Sequence, residues 1–208
     1  MSEPLESVVV GAGQAGLSAS FHLARRGIEH VVLDANDAAG GAWQHRWDSL
    51  TMADVHGVSS LPGSEPPTEP GPANTVVPAY FDHYERAHDL PVLRPVRVDR
   101  VEPASEGLLV VRAGLRKWRT RTIVNATGTW SQPYVPYYPG AGTFAGTQLH
   151  THDYTGLDAF RHQRIVVVGG GASAVQLLGE LALAVDDAET DLLWVTRREP
   201  VWRTEGFD

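Results

Sequence analysis

The sequence predicts an α/β fold, in which short apolar strands alternate with helices and most strands run parallel. Three observations predict it. An apolar strand runs into a glycine-rich turn and then a helix over residues 5–24. The same order returns over residues 165–182, with Gly11 and Gly169 standing 158 positions apart. Each opening is followed by a second aliphatic strand, His30–Leu33 and Leu192–Val195. An internal repeat of this kind is an organisational signal.

The elements follow in order. Leu5–Val10 is a strand. Leu17, Phe21, Leu23 and Ala24 give the next segment an apolar face at helical spacing, and Gly27 suits its C-terminus. His30–Leu33 is rich in aliphatic, β-branched residues and ends in Asp34. From Gly40 to Val77 there is little periodicity, and the run from Leu61 to Pro72 is dense in proline and glycine. A long aperiodic stretch is a binding loop, a lid or plain disorder. Pro78–His88 reads as a helix with Tyr80, Phe81, Tyr84 and Ala87 on its apolar side. Val96–Val101, Leu108–Arg112 and Arg119–Val124 read as three strands separated by turn residues. Residues 129–163 form a second irregular stretch. Ile165–Val168, a helix through Val175, Leu177, Leu178, Leu181 and Ala182, and Leu192–Val195 complete the chain.

Composition narrows the chemistry. The 208 residues contain no cysteine, which excludes a cysteine nucleophile, cysteine-ligated metal and a CxxC redox pair. The formal net charge of −8 makes nucleic acid and anionic membrane poor partners. No run approaches the roughly 18 apolar residues of a membrane helix. Residues 1–11 carry no basic segment followed by an apolar one, so the expected location is cytoplasmic.

Gly11-x-Gly13-x-x-Gly16 sits where its mechanism requires, between a strand and a helix. The first glycine permits the tight turn, the second lets backbone approach a pyrophosphate, and the third allows close helix–strand packing. Gln14 and Ala15 lie between them in the first helical turn, where backbone N–H groups face a phosphate. Asp34, 21 residues beyond Gly13, can hold the hydroxyls of an adenosine ribose, with Ala35 beside it. The bland alternative is a structural turn and a solvent-exposed aspartate. Gly169-x-Gly171-x-x-Ala174 has the same context, with Ala172 and Ser173 opening its helix. Its second strand ends in Thr196 rather than an acid, and Arg197 and Arg198 follow. That pattern suits the 2′-phosphate of NADPH, although two arginines on a solvated face remain the alternative. The fold class is therefore a Rossmann-like α/β nucleotide-binding fold, with the start of a second nucleotide-binding unit. The expected division is 1–160 for the first domain and 161–208 for the second.

Further motifs carry a resemblance. Gly40-Gly41-Ala42-Trp43 can bring backbone against a flat ring, with Trp43, Trp47 and His45 close by, though a loop tryptophan equally pins its loop to the core. Asn125 precedes Ala126-Thr127-Gly128, where Gly128 suits a left-handed turn. Phe144-x-Gly146-x-x-x-His150-Thr151-x-x-Tyr154 lies between the two glycine fingerprints. In this order the motifs resemble the flavin-containing monooxygenases and their N-hydroxylating and Baeyer–Villiger relatives.

The resemblance implies an FAD/NAD(P)-binding three-layer α/β fold with FAD at the first fingerprint, Gly40-Gly41-Ala42-Trp43 beside the flavin, and Ala126-Thr127-Gly128 as the linker that ends the first FAD segment. It implies NADPH at the second fingerprint, with His150 influencing how NADPH sits. It further implies O₂ and a small N-, S- or ketone-bearing substrate, oxygenated through a peroxyflavin with no catalytic side chain. The alternatives are a flavoprotein reductase or a non-catalytic flavin-binding remnant. His150 and His152 would share one side of a strand, but no third metal ligand is evident. The resemblance also implies further strands after Arg198. The expectation is thus a piece of a longer polypeptide or a shortened protein, in which a homodimer could cover exposed surfaces.

Overall fold

The computed structural model describes residues 3–55, 58–185 and 190–202. Residues 56 and 57 of the aperiodic stretch lie outside the described residues, as do 186–189 and 203–208. The chain divides into two units, Met1–Pro136 and Tyr137–Asp208.

In the first unit, β1 (Leu5–Val10), α1 (Gln14–Arg25) and β2 (His30–Leu33) form the opening β-α-β. α2 (Ala73–Ala87), β3 (Val92–Leu93), β4 (Arg100–Pro103), β5 (Leu109–Ala113) and β6 (Arg116–Asn125) follow. The strand order is β3-β2-β1-β6-β5-β4. β1 pairs in parallel with β2 and β6, and β2 with β3. β4, β5 and β6 form an antiparallel meander.

The alternation of β1 and β2 sends side chains to two cores. Val9 and Val32 join Leu17 and Phe21 of α1 with Val77, Phe81 and Tyr84 of α2. Val8, Val10, Val31 and Leu33 join Val96, Val111 and Ala113 on the other face. β1 is buried on both faces, which explains its continuous valine run. β6 links the layers. Its last residues pair with β1 and its first with β5, so the meander covers the face opposite the helices. The result is three layers, as the resemblance implies.

Two departures from expectation bear on the site. α2 begins at Ala73 rather than Pro78, because Pro72 is the extended residue at its N-cap and Pro78 lies inside the helix. A proline there gives up one helical hydrogen bond. Its ring packs against Gly40, where an added Cβ would stand 2.7 Å from the Pro78 Cγ. Of the strand expected at Val96–Val101 only Arg100 and Val101 are in a strand, β4, while the two-residue β3 lies ahead of that span and is not among the expected strands. Val96 is a buried connector whose N–H donates to the Asp34 carbonyl at 2.7 Å.

In the second unit, 3-10 turns at Ala141–Thr143, Thr151–Asp153 and Leu157–Phe160 precede β7 (Arg164–Val168), α3 (Ala172–Ala182) and β8 (Asp191–Val195). β7 and β8 pair in parallel as a two-stranded sheet. Among the described residues, no helix is long and apolar enough to cross a membrane.

Candidate functional site

The first glycine turn is built by close backbone approach. Gly11 has φ +100°, and its N–H donates to the Leu33 carbonyl at 2.8 Å. A Cβ on Gly11 would lie 2.4 Å from the Ala126 carbonyl oxygen, and one on Gly16 would lie 1.9 Å from the Gly11 oxygen. A Cβ on Gly13, the N-cap of α1, would meet nothing within 4 Å. No side chain caps α1, and no acid lies in its first turn. Among the described residues, the first N–H groups of α1 thus have no side-chain cap, and the space at Gly13 is open, an arrangement suited to a pyrophosphate. Gln14 donates through Nε2 to the Ser59 carbonyl at 3.3 Å, while Ala15 is exposed.

At the end of β2 the structure adds residues that sequence reasoning missed. Asp34 is only 4% exposed. Arg94 donates from Nε to its Oδ2 at 2.9 Å, and Asn36 donates from Nδ2 to its Oδ1 at 3.1 Å. The two terminal nitrogens of Arg94 donate to the two Glu85 carboxylate oxygens, each at 2.6 Å. Burial disfavours the Arg94 cation, yet Glu85 and then Asp34 hold its pKa above the ordinary arginine value. Asp34 is thus a buried, aligned carboxylate rather than the solvent-exposed aspartate of the bland alternative. Ala35 beside it is exposed.

The Gly41–His45 3-10 turn lies against the glycine turn, since a Cβ on Gly41 would stand 3.0 Å from the Gly13 Cα. His45 Nε2 hydrogen-bonds the Asn36 Oδ1 at 3.0 Å, and its ring stacks on Trp130 at 6.2 Å between centroids. Arg46 lies over Trp43 at 5.6 Å and Trp130 at 4.7 Å, and burial lowers its pKa. Arg46 and Trp130 had no signal in the motif spacing. Ala126 extends the β1–β6 pairing through its N–H to the Val10 carbonyl at 2.9 Å. Asn125 Oδ1 accepts from the Thr127 hydroxyl at 2.9 Å, satisfying the loop as the sequence suggests. Gly128 has φ +62°, a left-handed turn.

The second unit repeats the turn. The Gly169 N–H donates to the Val195 carbonyl at 3.0 Å, as Gly11 does to Leu33. Gly171 caps α3 with extended backbone and no side-chain cap, and a Cβ there meets nothing within 4 Å. Ala172 and Ser173 form the first turn, and Ala174 is buried. Arg197 and Arg198 are exposed just after β8, and the Thr196 hydroxyl donates to the Arg198 carbonyl. His150 and His152 lie at a 3-10 turn rather than in a strand. The His150 ring accepts from the His152 N–H, and Asp153 accepts from the His150 N–H at 3.1 Å. His152 first, then the His150 backbone, hold the Asp153 carboxyl below its usual range. Burial, then Glu180, pushes the Tyr154 hydroxyl up.

A family model described as pyridine nucleotide-disulphide oxidoreductase matches residues 8–205. The chain belongs to this family. As a pyridine nucleotide-disulphide oxidoreductase family member it stands among the FAD/NAD(P)-binding, monooxygenase-like flavoproteins. A solved flavin-containing monooxygenase from Stenotrophomonas maltophilia is 41% identical, with TM-score 0.85, over 96% of this chain and 60% of that one. An uncharacterized oxidoreductase, CzcO, of Bacillus subtilis is 28% identical over 85% of this chain and 52% of its own length. An indole-3-pyruvate monooxygenase of Oryza sativa is 33% identical over 82% of this chain and 43% of its own length. The chain spans about half the length of the curated relatives it matches. Lacking cysteine, this family member performs no dithiol chemistry with its own 208 residues.

Proposed function

We propose that the chain holds FAD on residues 1–160 and NADPH from residue 161 onward, as part of an NADPH-dependent flavin monooxygenase acting on a small N-, S- or ketone-bearing substrate. The observation that carries this reading is the pair of uncapped helix N-termini, each with open space at its second glycine. The named monooxygenases, similar over most of this chain, support it.

The residues divide the work. Gly11 makes the tight turn that lets Gly13, Gln14, Ala15 and Gly16 hold the FAD pyrophosphate by backbone N–H groups, and Asp34 accepts from the ribose hydroxyls beside Ala35. Gly41, Trp43, His45 and Ala126–Gly128 serve the flavin side. Gly169, Gly171, Ala172, Ser173 and Ala174 hold the NADPH pyrophosphate. Arg197 and Arg198 bind the 2′-phosphate, and His150 orients the cofactor. FAD, when bound, would supply the redox chemistry between NADPH and O₂. The protein's part is binding, orientation and exclusion of water; no side chain acts as nucleophile.

The test joins a flavin spectrum to isotope labelling. Purified protein loaded with FAD should show bound oxidised flavin that NADPH bleaches faster than NADH does. One atom of labelled O₂ should then appear in the N-oxygenated amine, the sulfoxide or the ester formed from an amine, sulfide or ketone, and the other in water. Release of H₂O₂ alone would replace oxygenation by the reductase reading. Arg197→Ala should weaken NADPH more than NADH, because only NADPH carries the 2′-phosphate; equal weakening removes Arg197 from that role.

A further inference from the structure

The trio at the end of β2 contains more than a ribose acceptor. An arginine beside the second strand of a dinucleotide fold is the residue type that accommodates a 2′-phosphate. Arg94 is in that place, yet its Nε is given to Asp34 and both terminal nitrogens to Glu85. The side chains of Asp34, Glu85 and Arg94 are 5%, 10% and 14% exposed. Two carboxylates against one guanidinium leave the trio one negative charge in excess.

We propose that Glu85 sets the ribose specificity of the first nucleotide site, by occupying Arg94 so that it aligns Asp34 and is withheld from a 2′-phosphate. The inference rests on the FAD reading above and adds a positioning residue that touches neither ribose nor phosphate. Acceptor geometry supports it. An ionised carboxylate offers about four lone-pair positions, two per oxygen. Arg94 fills one on Oδ2 and Asn36 fills one on Oδ1. One position remains on each oxygen, matching two donors from a vicinal diol. A 2′-phosphate dianion brings no donor to them and meets net negative charge. Glu85 lies on α2, so a helix outside the β-α-β opening determines which nucleotide that opening accepts.

The experiment uses the full chain and reads displacement of FAD by flavin fluorescence, so binding of a competitor at the second fingerprint does not register. The competitors are ADP, 2′-deoxy-ADP and adenosine 2′,5′-bisphosphate. Wild type should prefer ADP to 2′-deoxy-ADP by about tenfold, the size of a hydrogen bond to a charged group, and should reject the bisphosphate. Glu85→Gln should improve the bisphosphate relative to ADP by about tenfold or more. Adding Arg94→Gln to that variant should abolish the gain, since no cation then remains. Arg94→Gln alone should bring ADP and 2′-deoxy-ADP close together, which keeps the test open if Glu85→Gln does not fold. Should every competitor shift by one common factor in these variants, the trio is merely structural and the inference is overturned with the FAD reading intact. If wild type binds no FAD, the reading fails and this inference falls with it.

Discussion

Gly13 and Gly16 are three residues apart, yet a methyl group means different things at each. At Gly16 it would be driven into the Gly11 carbonyl oxygen, 1.9 Å away, which is backbone rather than the end of a flexible side chain. At Gly13 it would meet nothing within 4 Å and occupies only the space a phosphate would use. Gly16→Ala is therefore expected to destabilise the first unit by about 3 kcal/mol, read in urea unfolding, and to lose FAD as well. Gly13→Ala should unfold at the wild-type urea concentration and still bind FAD about tenfold or more weakly. Equal stability losses in both would remove the distinction. These glycines, and Asp34, were readable from the sequence because their spacing is local and their strand–turn–helix setting is explicit. Arg94 was not, because it reaches Asp34 across 60 residues, from just beyond a two-residue strand with no periodicity to announce it. Arg46 and Trp130 were hidden likewise, since only the folded chain brings them together.

At the scale of elements, α2 is the strut under the candidate site. Its Glu85 grips Arg94, its Pro78 meets Gly40, and its tyrosines pin the proline-rich loop. Tyr80 accepts from the Leu61 N–H at 3.0 Å, and Tyr84 donates to the Pro62 carbonyl at 2.8 Å. Burial, then the charge of Tyr80, pushes the Tyr84 hydroxyl up from 10 to about 12. The unfolded chain releases this proton near pH 10, while the folded chain keeps it until about pH 12. The folded state thus binds more protons in that window, and stability falls as pH rises through it. Below pH 10 the contribution is fully present. Tyr84→Phe should cost about 1 kcal/mol at neutral pH through the lost hydrogen bond. It should also flatten the loss of stability between pH 10 and 12, measured by urea unfolding at several pH values. An unchanged alkaline slope would show that Tyr84 does not carry it. The sequence showed that a helix exists here but misplaced its start, because Pro78 reads as a first-turn proline when the cap is Pro72. The repeat also placed β1, β2, β7 and β8 to within a residue, since their aliphatic runs end in glycine or at a charged or hydroxyl residue.

For the whole molecule, the two units carry the same turn on very different supports. β1 is flanked by β2 and β6 in a six-stranded sheet and is buried on both faces. β7 has β8 alone. One face of that pair meets α3 through Leu192 and Trp194, which line an open apolar groove with Val175, Leu178 and Trp202. Val166, Val168, Leu193 and Val195 on the alternate positions are 42–58% exposed. A parallel sheet is normally covered on both sides, and a two-stranded one is marginal by itself. Local opening should therefore be far less costly in the second unit than in the first. Hydrogen exchange read by mass spectrometry is expected to show β7 and β8 amides exchanging while those of β1 and β6 remain protected. Leu193→Lys tests the same physics from the side chain. It should change urea stability by less than about 0.5 kcal/mol, as at an ordinary surface position. The same change at Val9, which is fully buried, should prevent folding of the first unit. Protection of β7 and β8 equal to that of β1, together with a large loss from Leu193→Lys, would mean that this apolar face is covered in solution.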